Sequence, residues 1–204
     1  MSTDTLKQRA RRGVLPIAAV LVRLGLTPNM VTVIGFLLNV GVGLILAFGY
    51  QLAGGILVIL VGLFDTLDGA VARVSNRVTI FGGFLDSTLD RYSEAVIFFG
   101  LTAFYVREGR MTEVLLVYAV IVGSLMVSYA RARAEGLGLD CEVGLLQRPE
   151  RVALLGLGLI INQVVPVLWL LAVMTNFTAA QRIFHVYRLT RQGESSQDRT
   201  KDRP

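Results

Sequence analysis

The sequence has few charged residues for its length. Only 17% of its 204 residues are Asp, Glu, Lys or Arg, whereas 53% are hydrophobic, and the mean hydropathy is +0.61. This balance excludes an ordinary water-soluble domain, in which about a quarter of the residues are charged. The lipid bilayer is therefore the expected solvent of the chain.

Cysteine is almost absent from the sequence. Cys141 is the only one, so an intrachain disulfide is excluded, and nothing near it has the spacing of a Cys or His metal site. The net charge of +5 raises the question of nucleic-acid binding. The basic residues lie between long apolar runs and are not interleaved with aromatic residues on one surface, so nucleic acid is not an expected partner.

Apolar segments predict an all-α, polytopic membrane protein with six transmembrane helices. The segments lie near residues 29–48, 52–73, 82–105, 112–132, 150–164 and 167–186. If residues 152–176 formed one span instead, the chain would have five spans, and its basic C-terminal tail would lie on the opposite side of the membrane. The distribution of basic residues favours six.

The positions of Lys and Arg predict the orientation in the membrane. They are frequent in the N-terminal segment, around Arg73 and Arg77, in the loop 131–151 and in the C-terminal tail, whereas the opposite side has only Arg107 and Arg110. Cytoplasmic flanks of membrane helices carry the excess of such residues. Both termini are therefore expected to face the cytoplasm, with the protein in the cytoplasmic membrane.

The two ends of the chain differ from its middle. The apolar run 13–22 follows a basic segment, is too short to span and has no cleavage site after it. Residues 1–25 are therefore predicted to form an amphipathic helix in the cytoplasmic interface. Residues 1–192 form one predicted membrane domain, and the polar residues 193–204 a disordered cytoplasmic tail.

Carboxylates inside the predicted spans are the strongest indication of function. A charged residue at the centre of a bilayer costs a few kcal/mol on insertion scales, so such residues usually serve an activity. Asp65 and Asp68 are three residues apart, and Asp86 and Asp90 are four apart, so each pair shares a helix face. Glu94 lies one turn beyond Asp90, where it either supports the site or pairs with Arg91.

The two pairs are expected at one depth. Asp65 precedes Arg73 by eight residues and Asp90 follows Gly82 by eight, which is about 12 Å in each case at the rise of a helix. Because the two helices are antiparallel, the carboxylates can face each other below the cytoplasmic surface.

Clustered carboxylates need a strong positive charge to remain ionised. Two divalent cations would provide it, oxygen-only ligands favour Mg²⁺ or Mn²⁺, and paired metals suit displacement at phosphorus. Pairing with Arg73 and Arg91 alone is an alternative, but two cations cannot neutralise four or five acids. A cation path through a transporter is a further alternative, although these acids all lie towards one side of the membrane.

The pattern from Asp65 to Asp90 resembles the signature of the CDP-alcohol phosphatidyltransferases. All eight signature residues are present: Asp65, Asp68, Gly69, Ala72, Arg73, Gly82, Asp86 and Asp90. The resemblance implies a membrane-embedded homodimer in which an alcohol attacks the lipid-linked phosphorus of CDP-diacylglycerol and CMP leaves. It also implies that the four aspartates bind the two metals and that Asp90 is the general base.

The resemblance also implies a binding site for the CDP-lipid. Thr27 and Pro28 are typical of an ordinary helix start, but the segment 26–32 is also similar to a family element near the nucleotide. The residues expected at the CDP-lipid are Asn29, Thr32, Asp68, Gly69, Ala72, Arg73 and Gly82.

Three arginines extend the resemblance to one branch of the family. The segments around Arg131, Arg151 and Arg182 are similar to the branch that transfers to inositol phosphate, including its archaeal ether-lipid form, and in that branch three basic residues bind the acceptor's phosphate. Arg133 and Arg148 are the nearest substitutes. Glycerol 3-phosphate is the alternative acceptor, because it also carries a phosphate, whereas serine or choline would not need three cations. We assign no role to His185 or Trp169.

Overall fold

The computed structural model describes the backbone of residues 15–201 and the side chains of residues 15–191. Across this part of the chain all regular secondary structure is helical, which confirms the all-α prediction. The helices are α1 (residues 15–23), α2 (Pro28–Ala47), α3 (Gln51–Val74), α4 (Ile80–Arg107), α5 (Met111–Glu135), α6 (Arg148–Ile160) and α7 (Val164–Lys201).

Threonine caps begin two of these helices. The backbone N–H of Met30 donates to Thr27 Oγ1 at 3.3 Å, and Pro28 is the first residue of α2, which confirms the helix start expected from the sequence. Thr79 caps α4 in the same way and accepts from the backbone N–H of Gly82 at 3.0 Å. The caps determine where the two helices begin beside the aspartates.

Four helices are long and apolar enough to cross a membrane, namely α2, α3, α5 and the part of α7 over Val164–Arg191. Helix α4 has 28 residues but carries several charged side chains. Helix α6 has only 13 residues, which is about 20 Å at helical rise against a hydrocarbon core of about 30 Å. The structure therefore supports a helical membrane protein, whereas the count of six spans is not confirmed.

Both ends of the predicted fifth span differ from the structure. Helix α6 begins at Arg148 and ends at Ile160, so the predicted extent of 150–164 is wrong. A turn follows in which Asn162 has a φ of 57°, a left-handed conformation that interrupts a helix. Helix α7 then begins at Val164. Two separate helices in this region, as the segments 150–164 and 167–186 predicted, are thus confirmed.

The chain ends are partly described. Ala18 of α1 is fully buried in an apolar cluster with Val31 of α2 and with Leu67 and Val71 of α3, so α1 packs near the part of α3 that bears Asp68. Residues 1–14 lie outside the described residues, as does the corresponding part of the predicted interfacial helix. The backbone of α7 continues as helix to Lys201, past the predicted boundary at residue 192, and residues 202–204 lie outside the description.

Helix α2 packs against both α3 and α4, whereas α3 and α4 have little direct contact with each other. The approach of α2 to α4 is close, because a Cβ on Gly100 would collide with the carbonyl oxygen of Gly43. Small residues permit such contact between membrane helices. The two aspartate-bearing helices therefore flank a cleft that α2 closes on one side.

Candidate active site

One arginine links the two aspartate-bearing helices. Arg148, the first residue of α6, places Nη2 2.9 Å from Asp65 Oδ2 on α3 and Nη1 2.7 Å from Asp90 Oδ1 on α4. These contacts bring one aspartate of each predicted pair to the same guanidinium group. The prediction that carboxylates of both helices face each other is consistent with this geometry.

The other two aspartates lie in the same cleft. Thr32 Oγ1 donates to Asp68 Oδ2 at 2.9 Å, and the backbone N–H of Gly69 donates to Asp68 Oδ1. Asp86 lines the same cavity as Asp68 and precedes Asp90 by about one turn of α4. The cleft therefore concentrates four carboxylates from α3 and α4.

The donor set fits a hard divalent cation, because carboxylate oxygens are the ligands that Mg²⁺ and Mn²⁺ prefer. Within residues 15–191, no three His, Cys, Asp or Glu side chains are already gathered around one point at metal-binding distance. The assignment of Asp65, Asp68, Asp86 and Asp90 as metal ligands stays a prediction.

The aspartates do not pair mainly with Arg91, as the alternative considered from the sequence would require. Arg91 Nη1 is 4.0 Å from Asp90 Oδ2, and its hydrogen bond goes to the backbone carbonyl of Ser87. Arg148, which the sequence indicated only as a substitute phosphate ligand, makes the two shorter ion pairs. Its position in a cytoplasmic basic loop was visible in the sequence, but its reach back to α3 and α4 depends on the tertiary fold.

A cavity of about 190 Å³ opens beside Asp68 and Asp86. Arg77 and Thr79, which the sequence analysis did not select, also line it. The structure brings together in this cavity every residue predicted to contact the CDP-lipid, namely Asn29, Thr32, Asp68, Gly69, Ala72, Arg73 and Gly82.

Glycine provides room at two points of the site. A Cβ on Gly82 would lie 2.9 Å from Thr79 Oγ1 and 3.2 Å from Asn29 Oδ1. A Cβ on Gly35 would lie 2.6 Å from Asp65 Oδ1, closer than such atoms can pack. Gly35 of α2 therefore permits the observed position of the Asp65 carboxylate.

The Gly35→Ala variant is expected to lower activity by up to about tenfold, because the added methyl group forces Asp65 from its rotamer at a cost of about 0.5–1.5 kcal/mol. Steady-state turnover in the reaction that the family resemblance implies measures the loss. Gly41→Ala, also in α2, is the matched control, since a Cβ there meets no atom within 4 Å. Equal activity of the two variants would contradict the assigned role of Gly35.

The three predicted phosphate-binding arginines lie in one region but have different surroundings. Arg131 is 41% exposed and places Nε 2.7 Å from Glu135. Arg151 is buried and forms an ion pair with Glu94. Arg182 is also buried, and it donates from Nε to the carbonyl of Val143 at 2.9 Å and from Nη1 to that of Val127.

The three arginines contact one short loop segment: Arg131 is 3.6 Å from Glu142, Arg182 donates to the carbonyl of Val143, and Arg151 donates to that of Leu146. This proximity is compatible with one shared anion, and the assignment of the three arginines to the acceptor phosphate stays a prediction. Glu94 pairs with Arg151 on α6, so the pairing with Arg91 considered from the sequence is wrong.

Paired carboxylates on membrane helices, with a cavity and a group of arginines beside them, define a membrane-embedded enzyme that acts on phosphate groups. The family model of the CDP-alcohol phosphatidyltransferases matches residues 25–187. The chain belongs to this family and is a transferase.

Curated relatives and solved structures agree with the family assignment. The archaetidylinositol phosphate synthase of Methanothermobacter thermautotrophicus is 39% identical over 184 residues, covering 87% of this chain and 90% of the relative. The phosphatidylinositol phosphate synthase of Mycobacterium tuberculosis is 40% identical over 185 residues, with 84% of each chain covered.

Two crystal structures of the phosphatidylinositol phosphate synthase of Mycobacterium tuberculosis resemble this fold. The one with CDP-DAG bound has a TM-score of 0.81 at 35% identity and covers 86% of this chain and 94% of that one. The one in complex with manganese and citrate has a TM-score of 0.81 at 36% identity and covers 85% and 88%.

Proposed function

We propose that this enzyme transfers the phosphatidyl group of CDP-diacylglycerol to inositol phosphate and releases CMP. The observation that carries the proposal is the order of groups along the cleft. The cavity with the predicted CDP-lipid residues adjoins Asp68 and Asp86, and the arginines adjoin the other end, where Glu94 follows Asp90 on α4 and pairs with Arg151. Relatives that make inositol phosphate lipids in bacteria and archaea support this choice of acceptor.

The donor would bind in the cavity beside α3 and α4. Arg73 and Arg77 line the cavity, and guanidinium groups form charge-assisted hydrogen bonds with phosphate. Gly69 and Gly82 have no side chain, so they leave space in the cavity wall where a diphosphate would approach. The mycobacterial relative with CDP-DAG bound supports the same donor for this chain.

Asp65, Asp68, Asp86 and Asp90 would hold two divalent cations, Mg²⁺ or Mn²⁺. Such cations stabilise the charge that develops on the attacking and leaving oxygens during displacement at phosphorus. The mycobacterial structure with manganese supports the use of a divalent cation. Thr32 and the Gly69 backbone orient the Asp68 carboxylate through their hydrogen bonds.

Asp90 would accept the proton of the acceptor hydroxyl. Its Oδ1 is paired with Arg148, so Oδ2 is the oxygen that we assign as the base. As the proton moves to Asp90, the acceptor oxygen forms a bond to the lipid-linked phosphorus, and the bond from that phosphorus to the CMP oxygen breaks. CMP leaves with the electron pair of the broken bond.

Arg182 supports a phosphate on the acceptor. Two of its nitrogens donate to carbonyl oxygens, and a guanidinium group has five N–H donors, so within residues 15–191 it keeps N–H groups for an anion. Arg131 and Arg151 contact the same loop segment as Arg182, at Glu142 and Leu146. Glycerol 3-phosphate would satisfy the same three cations, so the acceptor has to be tested directly.

The test is an acceptor panel with the purified enzyme and labelled CDP-diacylglycerol. We expect lipid product and CMP with inositol phosphate and little product with free inositol, serine or choline. If glycerol 3-phosphate were the better substrate, the enzyme would be a phosphatidylglycerophosphate synthase. Equal use of inositol and inositol phosphate would contradict the phosphate site. The predicted homodimer stays a prediction.

We also propose that the chain spans the cytoplasmic membrane six times, with both termini and the active site facing the cytoplasm. Tags at the N-terminus, in the loop 136–147 and at the C-terminus should then be protected from impermeant reagents in intact cells. A tag at Gly109, in the turn between α4 and α5, is the matched control and should react. A reactive C-terminus would favour the five-span arrangement.

A further inference from the structure

Glu94 and Arg151 form a buried ion pair between α4 and α6. Arg151 Nε is 2.8 Å from Glu94 Oε1, and its Nη2 is 2.8 Å from Oε2. Glu94 is 8% exposed and Arg151 is 3% exposed. Two parallel charge-assisted hydrogen bonds fix both the position and the plane of a guanidinium group.

A third hydrogen bond also holds the Arg151 guanidinium group in place. Arg151 Nη1 donates to the backbone carbonyl of Leu146 at 3.3 Å. A guanidinium group has five N–H donors, and the three bonds use one donor on each nitrogen. Within residues 15–191, one N–H on Nη1 and one on Nη2 therefore have no protein partner, and their directions are set by the bonds to Glu94 and Leu146.

Packing alone does not account for a charged pair at this point. Burial of two charges costs desolvation, and apolar residues of similar volume are often as stabilising. Helices α4 and α6 pack mainly on other helices, and they are joined by two arginine–carboxylate links, Arg148 to Asp90 and Arg151 to Glu94. Both links lie on the face of α4 that bears the predicted general base.

We infer that Glu94 is a positioning residue for the acceptor: it holds Arg151 so that its two remaining N–H donors meet the acceptor's phosphate. This inference rests on the proposed function. Asp90 and Glu94 are four residues apart on one helix face, or about 6 Å at helical rise. Helix α4 thus sets the distance between the base that receives the hydroxyl proton and the arginine that binds the phosphate.

The spacing has a consequence for acceptor choice. An acceptor can engage both ends only if its phosphate lies a set distance from its attacking hydroxyl. An alcohol without phosphate reaches Asp90 but leaves the fixed donors of Arg151 without a partner, and unpaired buried donors are unfavourable. Glu94 therefore contributes to discrimination against unphosphorylated alcohols. It does so through Arg151 and does not itself contact the substrate.

The test is Glu94→Gln, which keeps the size of the side chain and removes its charge. We expect the KM for inositol phosphate to rise by about tenfold or more, because the charge-assisted hydrogen bonds that orient Arg151 are weakened. The KM for CDP-diacylglycerol should stay within about twofold, since that site lies on the other side of the aspartates. Glu94→Asp, which keeps the charge, should restore part of the acceptor affinity.

Glu113→Gln is the matched control. Glu113 also pairs with an arginine, Arg110, but in the first turn of α5 and away from the aspartates, so both KM values should be unchanged. Melting temperatures of all variants separate folding from binding. A Glu94→Gln variant with a lower melting temperature or less active protein, but an unchanged KM for inositol phosphate, would show a structural role only and overturn the inference.

The outcome for the unmodified enzyme separates this inference from the proposed function. If the unmodified enzyme prefers glycerol 3-phosphate, the proposed acceptor is wrong. The positioning role then predicts that Glu94→Gln raises the KM for glycerol 3-phosphate. If it uses only unphosphorylated alcohols, both proposals are overturned. If it uses inositol phosphate and Glu94→Gln has the normal acceptor KM, only the positioning role is overturned.

Discussion

Asp86→Asn is expected to lower CMP release by about a thousandfold. The substitution preserves the size of the side chain but removes one of four carboxylate charges, and metal stabilisation of a phosphoryl transition state contributes several kcal/mol, where each 1.4 kcal/mol is a factor of ten. Asp86 lines the predicted CDP-lipid cavity and makes no ion pair with Arg148. The variant therefore tests the Asp86 carboxylate without breaking the ion pairs by which Arg148 links α3 and α4.

The matched control is Asp140→Asn, because Asp140 is an exposed aspartate in the loop between α5 and α6. It should keep normal activity. Mn²⁺ binding by the purified variants provides a second measurement, and Asp86→Asn should bind Mn²⁺ more weakly than Asp140→Asn does. Near-normal CMP release by Asp86→Asn in excess Mg²⁺ or Mn²⁺ would contradict the assignment of the aspartates.

Arg131→Ala is expected to raise the KM for inositol phosphate by about tenfold to a hundredfold, because a charge-assisted hydrogen bond to phosphate contributes about 1.5–3 kcal/mol. Arg131 is suited to this test since its side chain is 41% exposed, and its removal leaves no buried carboxylate without a partner. The KM for CDP-diacylglycerol should change little. Acceptor titrations at saturating donor separate the two constants.

Arg133→Ala is the comparison variant, because Arg133 lies two residues further along α5, where side chains do not share a face with Arg131. Its KM for inositol phosphate should be near normal. The reverse result, with a large effect only in Arg133→Ala, would move the phosphate site to that residue. A change only in the KM for CDP-diacylglycerol would contradict an acceptor role for Arg131.

Local signals account for what was predictable. The apolar composition indicated the bilayer, Thr27 and Pro28 marked the start of α2, and the spacing of Asp65, Asp68, Asp86 and Asp90 indicated a shared site. The helix start and each aspartate pair depend on residues within about one helical turn, where geometry follows directly from spacing. The extent of α6 was harder to predict, because apolar residues lie on both sides of the turn at Asn162 and composition does not determine the residue at which a helix ends.

By itself, the sequence determined the helical membrane class, the family signature and several of the residues that line the cavity, but not Arg77 or Thr79. Only the tertiary structure decided the long-range partners: Arg148 reaches Asp65 across 83 positions in the chain, and Arg151 reaches Glu94 across 57. Many arginines flank these helices, and spacing along the chain cannot choose among them. The choice depends on how α6 packs beside α3 and which carboxylates of α4 then lie within a guanidinium's length.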